Sequence, residues 1–160
     1  MPQRTLDYLQ SIIEYDPARG PVWKVSRQGR SEVGKPVRDQ IRLDGRRVYI
    51  WHVVWFMHHG YWPSERGEWI DHADGNRRNN TIENLRVATP SQNNMNRRGW
   101  TEKVHPKGVA EVKGRYRAAI SHMGERFFLG SFDTPEEASA AYQGASRVLQ
   151  GEFSFYNRSA

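Results

Sequence analysis

Segment 69–96 concentrates polar side chains in a pattern that leaves few choices of local structure. Trp69-Ile70 predicts a short strand that leads into Asp71-His72. The following stretch, 73–81, is built from Asp, Gly, Asn and Arg, which favour turns over strands. Leu85 to Ala88 then predicts a returning strand. The sequence therefore predicts a strand, a polar loop and a second strand.

A helix is predicted directly after this second strand. Thr89 is a capping residue, Pro90 suits the first helical position, and Gln92 completes a capping box. A helix that starts at Pro90 places Asn93 in its first full turn. The order strand, loop, strand, helix brings polar side chains together where a strand end meets a helix.

These polar residues have the chemistry of a site for one hard divalent ion. The chain has no cysteine, which excludes disulfides, thiolate zinc sites and cysteine nucleophiles. Mg²⁺ and Mn²⁺ take oxygen ligands and keep several waters, so the Asp71 carboxylate and the Asn93 amide fit as ligands. His72 is then a candidate general base, because an imidazole titrates near neutral pH. We expect one Mg²⁺ or Mn²⁺ ion, no zinc and no small-molecule cofactor.

The dipeptide Asp71-His72 makes a geometric demand. Neighbours on a regular strand point to opposite faces, so both side chains can share a site only if the strand ends or distorts there. An EF-hand loop counted from Asp71 is excluded, because its third, fifth and twelfth positions would be Ala73, Gly75 and Ile82. The remaining amides of the loop are interpreted as satisfying its backbone: Asn76, Asn79, Asn80 and Asn84.

Composition points to a polyanionic partner and to an intracellular protein. The 160 residues carry a net charge of +6, with a pI of about 9.8, which favours binding to nucleic acid. No apolar run approaches the length of a membrane span, and the N-terminus lacks the apolar core of a signal peptide. We expect no membrane partner and a cytoplasmic location.

The part of the chain that precedes segment 69–96 is predicted to contain both helices and strands. Leu6, Leu9, Ile12 and Ile13 have helical spacing, which predicts a helix over 5–14. Further predicted elements are a strand at 22–25, a hairpin around Asp44-Gly45 and a short buried helix over 52–57.

The C-terminal part predicts three short strands followed by one helix. The strands are 108–112, 115–121 and 126–132, separated by turns at Lys113-Gly114 and Met123-Gly124. A second capping box at Thr134 to Glu137 opens a helix with an apolar face, which Gly151 ends. The apolar face includes Ala138, Ala141, Tyr142, Ala145, Val148 and Leu149. The natural result is a three-stranded meander packed on one helix.

Apolar and basic side chains alternate along these strands, which predicts one face that packs on the helix and one basic face. Tyr116, Ala118, Ile120, Phe127 and Leu129 are expected to face the helix. Arginine on a small sheet can enter the major groove and read guanine with two hydrogen bonds. The opposite face and its turn present Lys113, Arg115, Arg117, Arg126 and Phe128.

Spaced motifs cover about residues 40–98. They are Trp51-His52-Val53-Val54-Trp55, Gly60-Tyr61-Trp62-Pro63, Asp71-His72-Ala73-Asp74-Gly75-Asn76, Asn79-Asn80, Asn84-Leu85-Arg86, Ala88-Thr89 and Asn93 through Asn96. In these motifs the chain resembles the HNH homing endonucleases of phages, a family that has a ββα-metal fold and cleaves DNA with one divalent ion.

The resemblance implies a role for each matching residue. His72 would be the general base, with Asp71 and Asn93 as metal ligands. Asn84 matches the middle asparagine, which pins the loop. His52 matches a recurrent histidine beside the site, with a supporting or phosphate-contacting role.

The C-terminal motifs, over about 105–157, resemble the AP2 DNA-binding domain, whose sheet lies in the major groove. Ala110 stands where that family often has Arg, and Phe128 where Trp is common, so we expect looser base readout and more phosphate contacts. Further DNA-binding candidates are Arg77, Arg78, Arg97 and Arg98. The motifs are Gly108-Val109, Gly114 to Ile120, Arg126 to Phe132, Thr134 to Ala138, Ala141-Tyr142 and Asn157.

Together these patterns predict an α+β protein in two parts. Residues 1–98 would form an HNH (ββα-metal) nuclease domain with an N-terminal extension, 99–106 a linker, and 107–160 an AP2-like domain. The predicted function is a metal-dependent DNA endonuclease of the homing type that nicks or breaks double-stranded DNA, as a monomer and in the host-cell cytoplasm if phage-encoded. The alternative is a non-catalytic, sequence-specific DNA-binding regulator with a relic HNH domain.

Overall fold

The computed structural model describes residues 2–25, 35–37, 39–97 and 105–158, with side chains from residue 5 onward. The chain divides into two compact units, Met1–Pro90 and Ser91–Ala160. Most of the predicted linker 99–106 lies outside the described residues. Among the described residues, no helix is long and apolar enough to cross a membrane.

In its described residues, the first unit combines two α-helices and two short 3-10 helices (Pro63–Arg66 and Ile82–Asn84) with three antiparallel two-stranded ribbons, which is compatible with the predicted α+β class. Its elements are α1 (Pro2–Ile12), β1 (Ile13–Asp16), β2 (Gly20–Trp23), β3 (Gln40–Leu43), β4 (Arg46–Tyr49), α2 (Ile50–His59), β5 (Trp69–His72) and β6 (Leu85–Ala88).

The prediction of a helix over 5–14 is wrong at its C-terminal end. The helix stops at Ile12, and Ile13 begins β1, which pairs with Trp23 of β2. Ile13 is fully buried in this ribbon, so an apolar residue at helical spacing serves a strand instead. Local periodicity cannot distinguish the two, because the choice is made by the partner strand.

The predicted hairpin and the helix that follows it are confirmed. Asp44 and Gly45 both have positive φ, 47° and 79°, the backbone that a tight two-residue hairpin turn between β3 and β4 requires. α2 begins directly after β4 and ends where Gly60 adopts a left-handed conformation. It buries Ile50, Val53 and Phe56 in the centre of the unit.

The predicted strand, loop, strand and helix over 69–96 are all present. β5 pairs with β6 in antiparallel register, with Asp71 opposite Arg86 and His72 opposite Leu85. Ile70 and Leu85 join the core that α2 supplies, which anchors this ribbon to the unit. A short helix, α3 (Pro90–Met95), follows as predicted.

The second unit contains the predicted three-stranded meander and its helix. The sheet has the order β7 (Val109–Val112), β8 (Arg115–His122), β9 (Glu125–Phe132), and α4 (Pro135–Leu149) follows. The predicted capping box between Thr134 and Glu137 opens α4. Ala118 and Ile120 of the sheet and Ala138 and Tyr142 of the helix are all buried.

Two apolar residues lie outside the core that the sequence predicted for this unit. Val148 is 82% exposed, whereas Ser146, two residues earlier on α4, is buried. A polar residue is tolerated there because the Ser146 hydroxyl bonds the side chains of Gln150 and Ser154. Phe127, opposite the buried Ile120, is still 41% exposed because β9 is an edge strand.

Two basic side chains of the second unit hold the C-terminal end of α3. Nζ of Lys107 donates to the backbone carbonyls of Met95 at 2.9 Å and Arg97 at 3.0 Å. Arg158 donates to the backbone and side-chain oxygens of Asn96. Burial, together with the nearby charges of Arg158 and Arg97, lowers the pKa of Lys107 to about 8. These contacts satisfy carbonyls that a helix end leaves without intrahelical partners.

Candidate active site

The two central residues of the predicted site lie at the end of a strand. β5 keeps regular register with β6 up to His72, its last residue, and the chain then turns, with the Gly75 amide donating to the His72 carbonyl at 2.8 Å. Asp71 and His72 are both buried, at 5% and 6% exposure. Asp71 and His72 both pair regularly with β6, and β5 ends only after His72, so the distortion between the two residues that the sequence demanded is not observed.

The imidazole of His72 is held from two sides. Its Nε2 lies 3.0 Å from Oδ1 of Asn80, which is itself buried, and the ring of Trp51 contacts it edge-on with centroids 5.4 Å apart. An amide oxygen only accepts hydrogen bonds, so Nε2 carries the proton in the neutral ring. This tautomer makes Nδ1 the nitrogen with the lone pair.

The environment of His72 favours the neutral form. Burial lowers its pKa below the ordinary value, and this effect outweighs the Asn80 hydrogen bond and the negative charges of Asp74 and Asp71, which raise it. The positive charge of Arg77 lowers the pKa further. At neutral pH the ring is thus in the form that can accept a proton.

The carboxylate of Asp71 has a cationic partner on the neighbouring strand. Nε and Nη2 of Arg86 both donate to Oδ2 of Asp71, at 3.0 and 2.8 Å. The pair is a direct consequence of register, because the two residues are opposite each other in the β5–β6 ribbon.

The loop between β5 and β6 is closed by a network centred on Asn84. Its Oδ1 accepts from the Asp74 amide at 2.9 Å, and its Nδ2 donates to Oδ1 of Asp74 and to the Asn79 carbonyl. Asp74 also accepts from the Asn79 side chain and the Asn76 amide. Each of these hydrogen bonds of Asn84 holds the loop.

The β1–β2 hairpin contacts the same loop. The Tyr15 hydroxyl accepts from the Ile82 amide at 2.7 Å and donates to Glu83 at 3.1 Å. The backbone of Asn80 lies against Gly20, so close that a Cβ added there would stand 3.0 Å from the Asn80 carbonyl oxygen. The partner of His72 is therefore positioned by a distant part of the sequence.

Sequence reasoning missed the roles of Asn80, Arg86 and Tyr15. Asn80 was interpreted only as a loop amide, and nothing in its spacing distinguishes it from its neighbours. Arg86 could have been found, because pairing the two predicted strands from the loop outward places it opposite Asp71. Tyr15 carries no sequence signal, since its contact depends on how the first hairpin packs.

The remaining predicted residues of the nuclease part lie in different surroundings. His52 is half-buried on α2 beside Trp51, and burial lowers its pKa. Asn93 is half-buried on α3, which lies in the second unit apart from its first residue. Arg77 and Arg78 are exposed on the loop. Arg97 is exposed beyond α3, and Arg98 lies outside the described residues.

The structure brings the predicted basic residues of the sheet onto one surface. Arg117 lies opposite Ala110 and Ser131, and Phe128, 64% exposed, lies opposite Ala119. Small neighbours thus leave these two side chains standing above the sheet. Arg115, Arg126 and the turn residue Lys113 are also exposed. Arg115 is engaged within the unit, with an ion pair to Asp133 at 3.2 Å and a hydrogen bond to the Ser131 carbonyl.

The available donors suit a hard ion with few protein ligands. Within the described ranges, no group of three or more His, Cys, Asp and Glu residues is placed to hold a metal. The carboxylate of Asp71 is an oxygen ligand of the kind that a Mg²⁺ or Mn²⁺ ion takes while it keeps most of its water.

Comparison with known proteins gives a consistent result. The family model for HNH endonucleases matches residues 48–95. An uncharacterized HNH endonuclease of Acanthamoeba polyphaga mimivirus is 35% identical over 91 residues, 56% of this chain and 47% of that protein. Protein 3.8 of Escherichia phage T7 is 30% identical over 105 residues, 62% of this chain and 83% of that protein. The match thus spans about half the length of the mimivirus protein and most of the phage protein. No solved structure matches the chain significantly.

Proposed function

We propose that the chain is a divalent-metal-dependent DNA endonuclease of the homing type, because its residues 48–95 match the HNH endonuclease family model. The observation that carries the proposal is the state of His72 at the end of β5. The ring is buried beside Asp71, its Nε2 is held by Asn80, and burial keeps it neutral.

In the proposed reaction His72 acts as the general base. Its Nδ1 takes a proton from a water molecule, and the water oxygen attacks the phosphorus of a phosphodiester while the bond to the 3′ oxygen breaks and that oxygen takes a proton from solvent water. The proton that Nδ1 gains makes an imidazolium, which the Asp71 and Asp74 charges stabilise. The products are a 5′-phosphate and a 3′-hydroxyl.

Asp71 and Asn93 are the proposed ligands of one Mg²⁺ or Mn²⁺ ion. When bound, such an ion supplies charge neutralisation at the phosphate and at the departing oxygen. Asn84 contributes by holding the loop that carries Asn80, and His52 by a supporting or phosphate-contacting role.

We further propose that the second unit binds double-stranded DNA through the exposed face of its sheet, in the manner of an AP2 domain. Arg117, Arg126 and Phe128 project from that face, and Lys113 lies at its turn. Side chains of this kind can contact base edges and phosphates in the major groove. Arg77, Arg78 and Arg97 are exposed and would add phosphate contacts.

The test is cleavage of supercoiled plasmid by the full chain with Mg²⁺ or Mn²⁺. We expect relaxed or linear product that EDTA abolishes and that His72→Ala reduces by about 10²-fold or more, because a general base contributes on this order. His59→Ala is the matched control, since His59 is an exposed histidine of the same unit. This variant should cleave like the wild type.

Two results would contradict the proposal. Binding of DNA by the wild type without any metal-dependent product would favour the non-catalytic regulator. Undiminished cleavage by His72→Ala would remove His72 from the reaction. The ratio of relaxed to linear product also distinguishes nicking from double-strand cleavage.

A further inference from the structure

The proposed metal ligand Asp71 is already bound to a cation that belongs to the protein. Nε and Nη2 of Arg86 converge on the single oxygen Oδ2, at 3.0 and 2.8 Å. Both side chains are shielded, with 6% of Asp71 and 17% of Arg86 exposed. The ion pair is therefore far less screened by water and salt than a surface pair.

The β5–β6 ribbon fixes this contact. Asp71 and Arg86 are directly opposite each other, and the flanking residues Ile70 and Leu85 are anchored in the core. In a protein without metal, the guanidinium prevents Asp71 from being a buried charge without compensation, which would be strongly destabilising.

The same contact opposes the binding of a divalent ion. Two N–H donors occupy the lone pairs of Oδ2, and the positive charge of the guanidinium would repel a cation bound by the Asp71 carboxylate. An ion that binds Asp71 must either displace these hydrogen bonds or tolerate the neighbouring charge. Both routes reduce the affinity of the site for the ion.

We propose that Arg86 is an internal counter-cation of the metal site, which competes with the divalent ion for Asp71 and keeps metal binding weak. The inference rests on the proposed function, because it takes Asp71 as a ligand. Arg86 stabilises the metal-free fold and makes occupancy of the site depend on the concentration of free ion. A merely orienting arginine would act in the opposite direction, because its loss would weaken metal binding.

The experiment measures binding of Mn²⁺ to the full chain by electron paramagnetic resonance of the free ion. Arg86→Gln keeps a neutral hydrogen-bond donor beside Asp71 and removes the charge, so we expect Mn²⁺ to bind on the order of tenfold more tightly. Arg86→Lys keeps the charge, and its affinity should stay near that of the wild type. Arg47→Gln is the control, since Arg47 is an exposed cross-strand arginine of the same unit and should leave the affinity unchanged.

Thermal unfolding gives a second readout that does not depend on cleavage. Without metal, Arg86→Gln should melt at a lower temperature than the wild type, because Asp71 loses its counter-charge. Added Mn²⁺ should raise the melting temperature of Arg86→Gln more than that of the wild type, because tighter binding to the folded state stabilises it more.

Asp71→Asn separates failure of this inference from failure of the metal site. If Asp71→Asn abolishes Mn²⁺ binding while Arg86→Gln binds equally or more weakly than the wild type, the counter-cation role is overturned and the metal site stands. If Asp71→Asn binds like the wild type, or if no form of the chain binds Mn²⁺, the metal site and the counter-cation are both overturned.

Discussion

At the scale of single residues, one hydrogen bond decides which nitrogen of His72 carries the proton in the neutral ring. Asn80 accepts from Nε2, so the lone pair of the neutral ring lies on Nδ1. Burial lowers the pKa of the ring, which favours this neutral form at neutral pH. The choice of an amide as the partner matters, because a carboxylate in the same place would stabilise the imidazolium and raise the pKa.

The first prediction concerns the pH dependence of cleavage. The base form is lost as the pH falls through the pKa of folded His72, which lies below its ordinary value of 6.5. We therefore expect kcat/KM to be flat around neutral pH and to fall on a limb centred below 6.5. Asn80→Asp should move this limb to higher pH, so its rate relative to the wild type should be lower at acidic pH than at pH values above the limb.

Asn76→Asp is the matched control for this profile. It adds the same negative charge to the same loop, but at an exposed position where water screens it. The limb of Asn76→Asp should coincide with that of the wild type. An unchanged limb in Asn80→Asp would contradict the assignment of His72 as the titrating base.

Residues of the site differ in how far the sequence reveals them. Asp71, His72 and Asn84 can be recognised because they lie within one strand, loop and strand, where local pattern decides the structure. Asn80 cannot be separated from the other loop amides, because only the folded loop shows which amide oxygen reaches the imidazole. To recognise Arg86, the register of the two strands must be known in addition to their positions.

At the scale of elements, the β1–β2 hairpin supports the loop that carries Asn80. Gly20 has a positive φ of 73° and lies against the Asn80 backbone, while Tyr15 holds the Ile82 amide. The sequence could not predict this support. The helical spacing of Ile13 predicts a helix there, so no strand is predicted at the position of β1. The misassignment hid the ribbon whose turn contacts the loop.

The second prediction separates the contact of Gly20 from its backbone conformation. Gly20→Ala and Gly60→Ala both force alanine to a left-handed φ, 73° and 72°, which costs about 1–2 kcal/mol of stability. An added Cβ at Gly60 meets nothing within 4 Å, whereas at Gly20 it stands 3.0 Å from the Asn80 carbonyl oxygen. Both variants should lower the unfolding free energy, but only Gly20→Ala should reduce kcat, because it displaces Asn80.

Chemical denaturation and plasmid cleavage, measured on the same preparations, check this prediction. Equal loss of kcat in the two variants would mean that general destabilisation is responsible. An unchanged kcat in Gly20→Ala would mean that the loop accommodates the methyl group without moving Asn80.

At the scale of the whole molecule, the chain consists of two compact units with separate cores. The core of the first unit forms around α2, and that of the second forms between the sheet and α4. The meander and its capped helix could be predicted because each strand is bounded by a turn signal and the capping box is local. The boundary between the two units at Pro90 could not be predicted from the sequence. The grouping of α3 with the second unit depends on long-range contacts such as those of Lys107 and Arg158.

The third prediction concerns the way this basic chain binds DNA. If the exposed sheet face binds the phosphate backbone, each lost cation should reduce counterion release on binding by about one. Arg117→Ala should therefore weaken binding of double-stranded DNA at moderate salt. It should also reduce, by about one, the slope of the logarithm of the binding constant against the logarithm of the salt concentration. Arg147→Ala is the matched control, because Arg147 is an exposed arginine on α4, away from the sheet face. Its affinity and slope should equal those of the wild type in a fluorescence-anisotropy titration at several salt concentrations. Equal losses in the two variants would instead indicate non-specific attraction by the net charge of +6, without a binding face.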